Sequence, residues 1–324
     1  MRAFVAGGAG FIGSHTVARL LRDPRIEGVT VYDNFTSGRK SNVPSANSSC
    51  PKIVEADLRD MHSLCDAMKA HDIVFHYASN PDIARAIQDP DIDFWQGTLL
   101  THNVLEAARQ CGVRMFIYAS GSGVYGDTGS TPVHEDYAPM LPISTYGASK
   151  LAGEALICAY SSLFDIQSWV FRFANVVGPR QTHGVAYDFI RKLKTDPTRL
   201  QILGNGKQSK SYIHIDDVLN GIWLVWQKAL DTYNYFNLAT DDHIAVSEIA
   251  VIVARCMGLD SVMMEYTGGE RGWKGDVPVT RWDTRKIKQL GWQARFGSRE
   301  SIETSVRQML MEADFGPTRL PNGE

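Results

Sequence analysis

Along the first half of the chain, short and nearly continuous apolar runs alternate with longer stretches in which apolar residues recur every three or four positions. The runs at 2–6, 28–32, 52–55, 72–77, 114–119 and 166–171 predict strands, and the stretches at about 11–22, 61–69, 91–111 and 146–164 predict helices. "DIVFHYA" (72–78) and "RMFIYAS" (114–120) lack polar alternation, the pattern of strands buried on both faces. Such alternation predicts an α/β fold, a doubly wound parallel sheet (Rossmann) covered by helices. After about residue 175 the rhythm loosens into Gly-, Pro- and charge-rich segments such as "TDPTRLQILGNGKQS" (195–209) and "YTGGERGWKGDVP" (266–278). This predicts a first unit over 1–175, to which 211–240 returns, and a smaller C-terminal α/β unit formed by 176–210 and 241–324. No internal repeat or low-complexity tract is present.

Two predicted helices carry more apolar surface than one buried stripe needs. Ile92, Trp95, Leu99, Leu100, Val104 and Leu105 occupy one, and Leu151, Leu156, Ile157, Tyr160 and Leu163 the other. Both burial within the monomer and a homodimer interface through 91–111 and 146–164 fit this pattern.

Composition narrows the class. With 44% apolar and 21% charged residues over 324 positions, the chain reads as a soluble globular protein. A formal net charge of −3 gives no general attraction to nucleic acid or to anionic membrane, so an anionic ligand must be held by local groups. No targeting segment and no apolar run of the ~20 residues that span a bilayer are evident, which predicts a cytoplasmic protein without membrane partners. The five cysteines are scattered and never spaced as C-x-x-C, which predicts reduced, mostly buried thiols. The nine histidines form no H-x-x-x-H pattern, so no metal site is predicted.

Chemistry enters at "FVAGGAGFIGSH". Gly7, Gly10 and Gly13 follow a strand and open a helix, with Phe11 and Ile12 in its first turn. That spacing permits a tight turn and close approach of a pyrophosphate to the helix N-terminus. Asp33 ends the next strand twenty residues after Gly13, where its carboxylate suits a ribose 2′-hydroxyl and repels a 2′-phosphate. NAD is therefore favoured over NADP, although Arg39 and Lys40 lie close by. Asn34 and Gly38 continue this strand end, Asp57 and Leu58 follow the third strand beside the expected adenine, and Ala78, Ser79 and Asn80 follow the fourth.

"STYGASK" places Tyr146 and Lys150 four residues apart, on one face of a predicted helix. Lowering a phenol from a pKa of ~10 to ~7 requires about 4 kcal/mol. A cation about 5 Å away contributes roughly 3 kcal/mol at an effective dielectric near 20. Lys150 and an oxidised nicotinamide would be two such cations, making Tyr146 a general base.

Taken together, "GGAGFIGSH", "DNFTSGRKSN", "VYGD", "YGASKLAGE", "RFANVVGPR" and "GDV" resemble the extended short-chain dehydrogenase/reductases. Within them the chain resembles the NAD-dependent epimerase/dehydratase group, closest to the UDP-glucose (UDP-galactose) 4-epimerases. The resemblance implies 4-epimerisation of a UDP-sugar through a transient 4-keto sugar, with NAD retained through each cycle and Tyr146 taking the O4 proton. It implies Phe173 beside the nicotinamide, Ser120 among the cofactor-binding residues, Asn175 at the diphosphate, and Lys210 and Arg271 as its cations.

The chain also departs from that family. Relatives carry Ser or Thr three residues before the Val of V-Y-G, to bridge the sugar O4 and the tyrosine; here Gly121 stands there, flanked by Ser120 and Ser122. Ser122 reaches inward only if the backbone curves off its strand. Phe94 falls where relatives have an Asn before V-x-G-T, which predicts a reshaped sugar–nicotinamide pocket. Thr280 falls where relatives gate the room beside the sugar C2. Open alternatives are a UDP-N-acetylhexosamine or UDP-uronate epimerase, or a weakly active or non-catalytic NAD and nucleotide-sugar binding protein.

Overall fold

The computed structural model describes residues 1–44 and 50–312, so 313–324 of the expected second unit lie outside the described residues. Six strands of the first half, β1 (Arg2–Ala6), β2 (Gly28–Asp33), β3 (Lys52–Glu55), β4 (Ile73–His76), β5 (Met115–Gly121) and β6 (Gln167–Phe173), form one parallel sheet. Strand Tyr233–Leu238 joins β6 at the edge, so the returning segment extends the sheet. From that edge the order is Tyr233–Leu238, β6, β5, β4, β1, β2, β3. The register aligns the C-terminal ends, pairing Ala6 with both Tyr32 and His76, and Gly121 with Phe173.

Alternate residues of each strand feed opposite cores, as pleating requires. Val5, Phe75, Ile117 and Phe171 pack with α1 (Phe11–Leu20) and α6 (Ile215–Lys228), while Phe4, Val74, Phe116 and Val170 pack with α2 (Met61–Met68), α3 (Leu99–Gln110) and α4 (Thr145–Phe164). A third core joins α5 (Val185–Thr195), α7 (Val246–Cys256) and the helix Ser298–Leu310 through Ile190, Ile249 and Ile302. Among the described residues no helix is long and apolar enough to cross a membrane.

Two expectations need correction. The stretch 91–111 is not one regular helix: Phe94–Thr98 form a π-turn before α3. A Cβ on Gly97 would fall 2.0 Å from Ser149 Oγ, so the glycine admits α4 at contact distance while the turn takes up an extra residue. Nor are the thiols mostly buried: Cys50 and Cys158 are exposed, and Cys65, Cys111 and Cys256 are half-buried.

A buried ion pair locks α4 to the sheet. Arg172 on β6 donates from Nη2 to Glu154 Oε2 at 2.6 Å, with both side chains under 5% exposed. Ser120 donates to the same carboxylate, and Arg172 Nη1 donates to Tyr125 Oη (2.9 Å) and Glu135 O (2.7 Å). Removing one partner leaves an uncompensated buried charge. Glu154→Gln is expected to lose about 3–5 kcal/mol of unfolding free energy, read as a lower urea midpoint at unchanged slope.

Candidate active site

A cleft of about 1120 Å³ opens at the C-terminal strand ends, running from Asp33 and Asp57, past Tyr146 and Lys150, to Asp276 and Thr280. It crosses the point between β1 and β4 where the strand order reverses, the usual ligand crevice of such sheets.

At its near end the glycine loop is pressed against β4. Gly7 has φ +77, and a Cβ there would sit 2.7 Å from Ala78 N; a Cβ on Gly13 would sit 2.1 Å from Gly7 O. No side chain caps α1 and no acid lies in its first turn, so its positive N-terminal end is left to a ligand at Gly10–Gly13. Asp33 is buried beneath the loop, accepting from Ala9 N and Phe35 N at 2.9 Å each. Gly38 packs on Ala9 and Asp33 and does not line the cleft, a correction to its expected role. Asn34 donates to Asp57 (3.2 Å), whose carboxyl is held down at about 2, chiefly by hydrogen bonds from Arg59. Leu58, Ala78, Ser79 and Asn80 complete this wall. A tight cradle, an open helix end and a carboxylate at the second strand fit a dinucleotide.

Tyr146 and Lys150 share one face of α4, whose start is capped by Ser144 Oγ accepting from Gly147 N at 3.1 Å. Both line the cleft, and Lys150 is 4% exposed. The Lys150 ammonium lies 5.6 Å from the Tyr146 ring centroid and donates to Ala119 O at 2.8 Å. The charge balance differs from the expected one. Burial pushes the phenol up to about 12, opposed by a hydrogen bond with Ser79 and reinforced by Asp93. Burial also pulls Lys150 down to about 8, against Glu154 and Asp93. In the chain by itself desolvation dominates, and the phenol is a weaker acid than in water.

The floor beside this pair is open. Gly121 is extended (φ −166, ψ 176), and a Cβ there would meet only Phe173 O, at 3.9 Å. Nothing in the packing demands glycine. Ser120 lies on the cleft wall, but its hydroxyl is spent on Glu154. Directly after Gly121 a 3-10 turn, Ser122–Val124, bends the chain, and Ser122 lines the cleft with no hydrogen-bond partner for its hydroxyl among the described residues. Phe94, expected in the sugar pocket, is 52% exposed and outside the cleft; Trp95 and Gln96 line it instead. Phe94 is the first residue of the π-turn, where the regular helical spacing that placed it in the pocket does not hold.

At the far end Phe173, Asn175, Lys210 and Thr280 line the cleft. Lys210 is paired with Asp276 (2.5 Å). Arg271 lies outside it, bound to Asp127 (2.6 Å) and to the Asp276 carbonyl, so its expected place among the lining cations is not observed. The sequence reading missed Asp276, Trp273 and Asp93. The length of the loop around Trp273 hinted at the first two, and nothing in the sequence marks Asp93.

Comparisons with known proteins agree with this fold. The model of the NAD dependent epimerase/dehydratase family matches residues 3–239. A UDP-glucose 4-epimerase of Mycolicibacterium smegmatis is 34% identical, over 94% of this chain and 97% of its own. The Thermus thermophilus UDP-glucose 4-epimerase solved with NAD superposes with a TM-score of 0.82 at 30% identity, covering 95% of this chain and 98% of that one. A dTDP-glucose 4,6-dehydratase from Streptomyces venezuelae with NAD bound gives 0.87 at 27% identity, covering 97% and 98%. Backbone likeness therefore spans two chemistries.

Gly13→Ala forces the loop off its helix. It is expected to lower NAD affinity at least about tenfold while the far-UV spectrum stays native, measured by calorimetric titration.

Proposed function

The chain belongs to the NAD-dependent epimerase/dehydratase family, and on that premise we propose that it interconverts C4 epimers of a UDP-hexose of the glucose/galactose kind. It is an NAD-dependent nucleotide-sugar epimerase; the sugar, the nucleotide and the residues named below are this proposal. The observation that carries it is that the dinucleotide cradle, the Tyr146–Lys150 pair and Ser122 meet in one continuous cleft.

NAD supplies, when bound, the hydride acceptor and a positively charged ring. Tyr146 takes the O4 proton, directly or through Ser122 or a water, and later returns it to the turned 4-keto sugar. Lys150 holds the ammonium charge that favours the phenolate. Phe173 closes the nicotinamide side, Asn175 and Lys210 meet the diphosphate, and Thr280 sits beside the sugar C2. A modest residue there supports turnover of N-acetylated hexoses, which a substrate panel tests directly.

Against dehydration, Ser122 and Gly123 occupy the two positions before Val124-Tyr125-Gly126, where removal of water would call for an acid and a base. A non-catalytic binder is the second reading, favoured by the raised phenol and the missing hydroxyl at 121. Reduction of bound NAD on adding a sugar nucleotide separates the two.

Tyr146→Phe is expected to lower kcat by about 10²–10⁴-fold, and Ser122→Ala by about tenfold if its hydroxyl relays the proton. An unchanged Tyr146→Phe ends the proposal. Gly121→Ser has room to fold with wild-type stability and should raise kcat several-fold. Product chromatography over a panel of nucleotide sugars provides the assay.

The chain is also proposed to pair with a second copy of itself. Trp95 (51% exposed), Leu163 (72%) and Phe164 (39%) leave apolar surface exposed on the π-turn and α4, neighbouring helical segments. Leu163→Asp should give a monomer in sedimentation with NAD still bound.

A further inference from the structure

Asp93 immediately precedes the π-turn and is 1% exposed. Its Oδ1 accepts from Asn80 Nδ2 at 2.9 Å, and its Oδ2 accepts from Thr145 Oγ1 at 2.6 Å. Among the described residues no lysine or arginine forms an ion pair with it. Asn80 is itself fixed, donating to Asp82 O and accepting from Asp82 N at 2.9 Å each, and it lines the cleft after β4. Thr145 is the first residue of α4, so the carboxylate lies by the positive end of that helix, which explains how a buried anion is tolerated. One side chain thus spans from the loop beside the cofactor to the turn that carries Tyr146.

We propose that Asp93 is a positioning residue of the reaction: it ties Asn80 to the start of α4, and its buried charge sets the electrostatic level at which the Tyr146 phenol and the Lys150 ammonium work. The proposal rests on the roles given to those two residues above. The other groups facing the pair are Glu154 on α4, His76 on β4, and Tyr118 on β5, whose ring centroid lies 5.0 Å from the Lys150 ammonium. Arg172 on β6 stands behind Glu154 and neutralises it, and Ser79 bonds the phenol without charge. Asp93 is therefore the anion near the pair that has no cation of its own. Its sign is the same on both groups: it favours the protonated lysine and the protonated tyrosine. The site accepts a weaker base in return for a lysine that stays charged at the pH of reaction.

The test uses the full chain with NAD bound and Asp93→Asn, which keeps the shape and removes the charge. Phenolate absorbance is read just after a rapid pH jump, as the difference between each protein and its Tyr146→Phe counterpart. The midpoint is expected to fall by roughly half to one pH unit, and any turnover should lose its alkaline limb at lower pH. A wild-type midpoint in Asp93→Asn overturns the proposal. Should that variant fail to fold, Thr145→Val cuts the tie and leaves the charge. It should keep the wild-type midpoint but bind NAD several-fold more weakly, and wild-type NAD affinity there overturns the proposal. Absence of turnover with every sugar nucleotide would end the epimerase reading while leaving the phenol titration decisive for Asp93.

Discussion

The contact between Glu154 and Arg172 decides where the chemistry happens. A lone carboxylate or guanidinium at this depth would be costly to desolvate, so each persists only because the other is there. The pair is anchored on four elements at once. Glu154 belongs to α4, Arg172 to β6 and Ser120 to β5, and Tyr125 passes the network on to Asn237 in the edge strand through a 2.7 Å hydrogen bond. One turn from Glu154 along the helix lies Lys150, and one more turn back lies Tyr146. Fixing Glu154 against the sheet therefore fixes the height at which the phenol and the ammonium stand over the strand ends. An apolar pair of the same volume would hold the helix as firmly, but it would give neither Ser120 a fixed acceptor nor Lys150 an opposing charge.

The same burial that holds the helix works against the base. A phenol near 12 must fall by about five units to work at neutral pH, which is about 7 kcal/mol. That value already includes the ammonium, so the remaining cation is an oxidised nicotinamide, which about 5 Å away would supply roughly 3 kcal/mol at an effective dielectric near 20. The lysine alone does not suffice, and its ammonium is turned toward Ala119 O. The base is thus latent until the cofactor is in place. That suits a site whose phenol would otherwise hold a charge in an apolar wall.

Much of this was legible in the chain because it is written in local pattern. The strand runs, the glycine spacing of the first turn and the four-residue step from Tyr146 to Lys150 each depend on residues close in sequence, and the structure puts them where those patterns imply. What escaped depends on partners far along the chain. Phe94 was misplaced because the helix there opens with a π-turn, at which Gly97 lets Ser149 of another helix approach closely. Arg271 reads as a phosphate ligand until Asp127, 144 residues away, is seen to hold it. Asp93 carries no motif at all; its partners at 80 and 145 converge only through folding.

Gly121 then acquires a physical meaning. Charge alone would leave the phenol about 4 kcal/mol short of a base at neutral pH, a gap to which a hydrogen bond to the charged oxygen contributes about 1.5–3 kcal/mol. A hydroxyl at 121 would be that bond, and the backbone there is extended with space above it, so steric demand did not remove it. The proposed function then calls for another donor to the phenolate or to the sugar oxygen. Ser122 is the proposed donor, because the chain turns sharply after 121 and brings to the same wall a hydroxyl with no hydrogen-bond partner among the described residues. A donor one residue further on reaches the phenol from a different angle and leaves the strand end bare, which enlarges the room where the sugar must turn over. Under the proposed function, lost alignment in the proton relay and gained volume for the turning intermediate would be two consequences of a single missing side chain, the second offsetting the first where the turning step, not proton transfer, is slow.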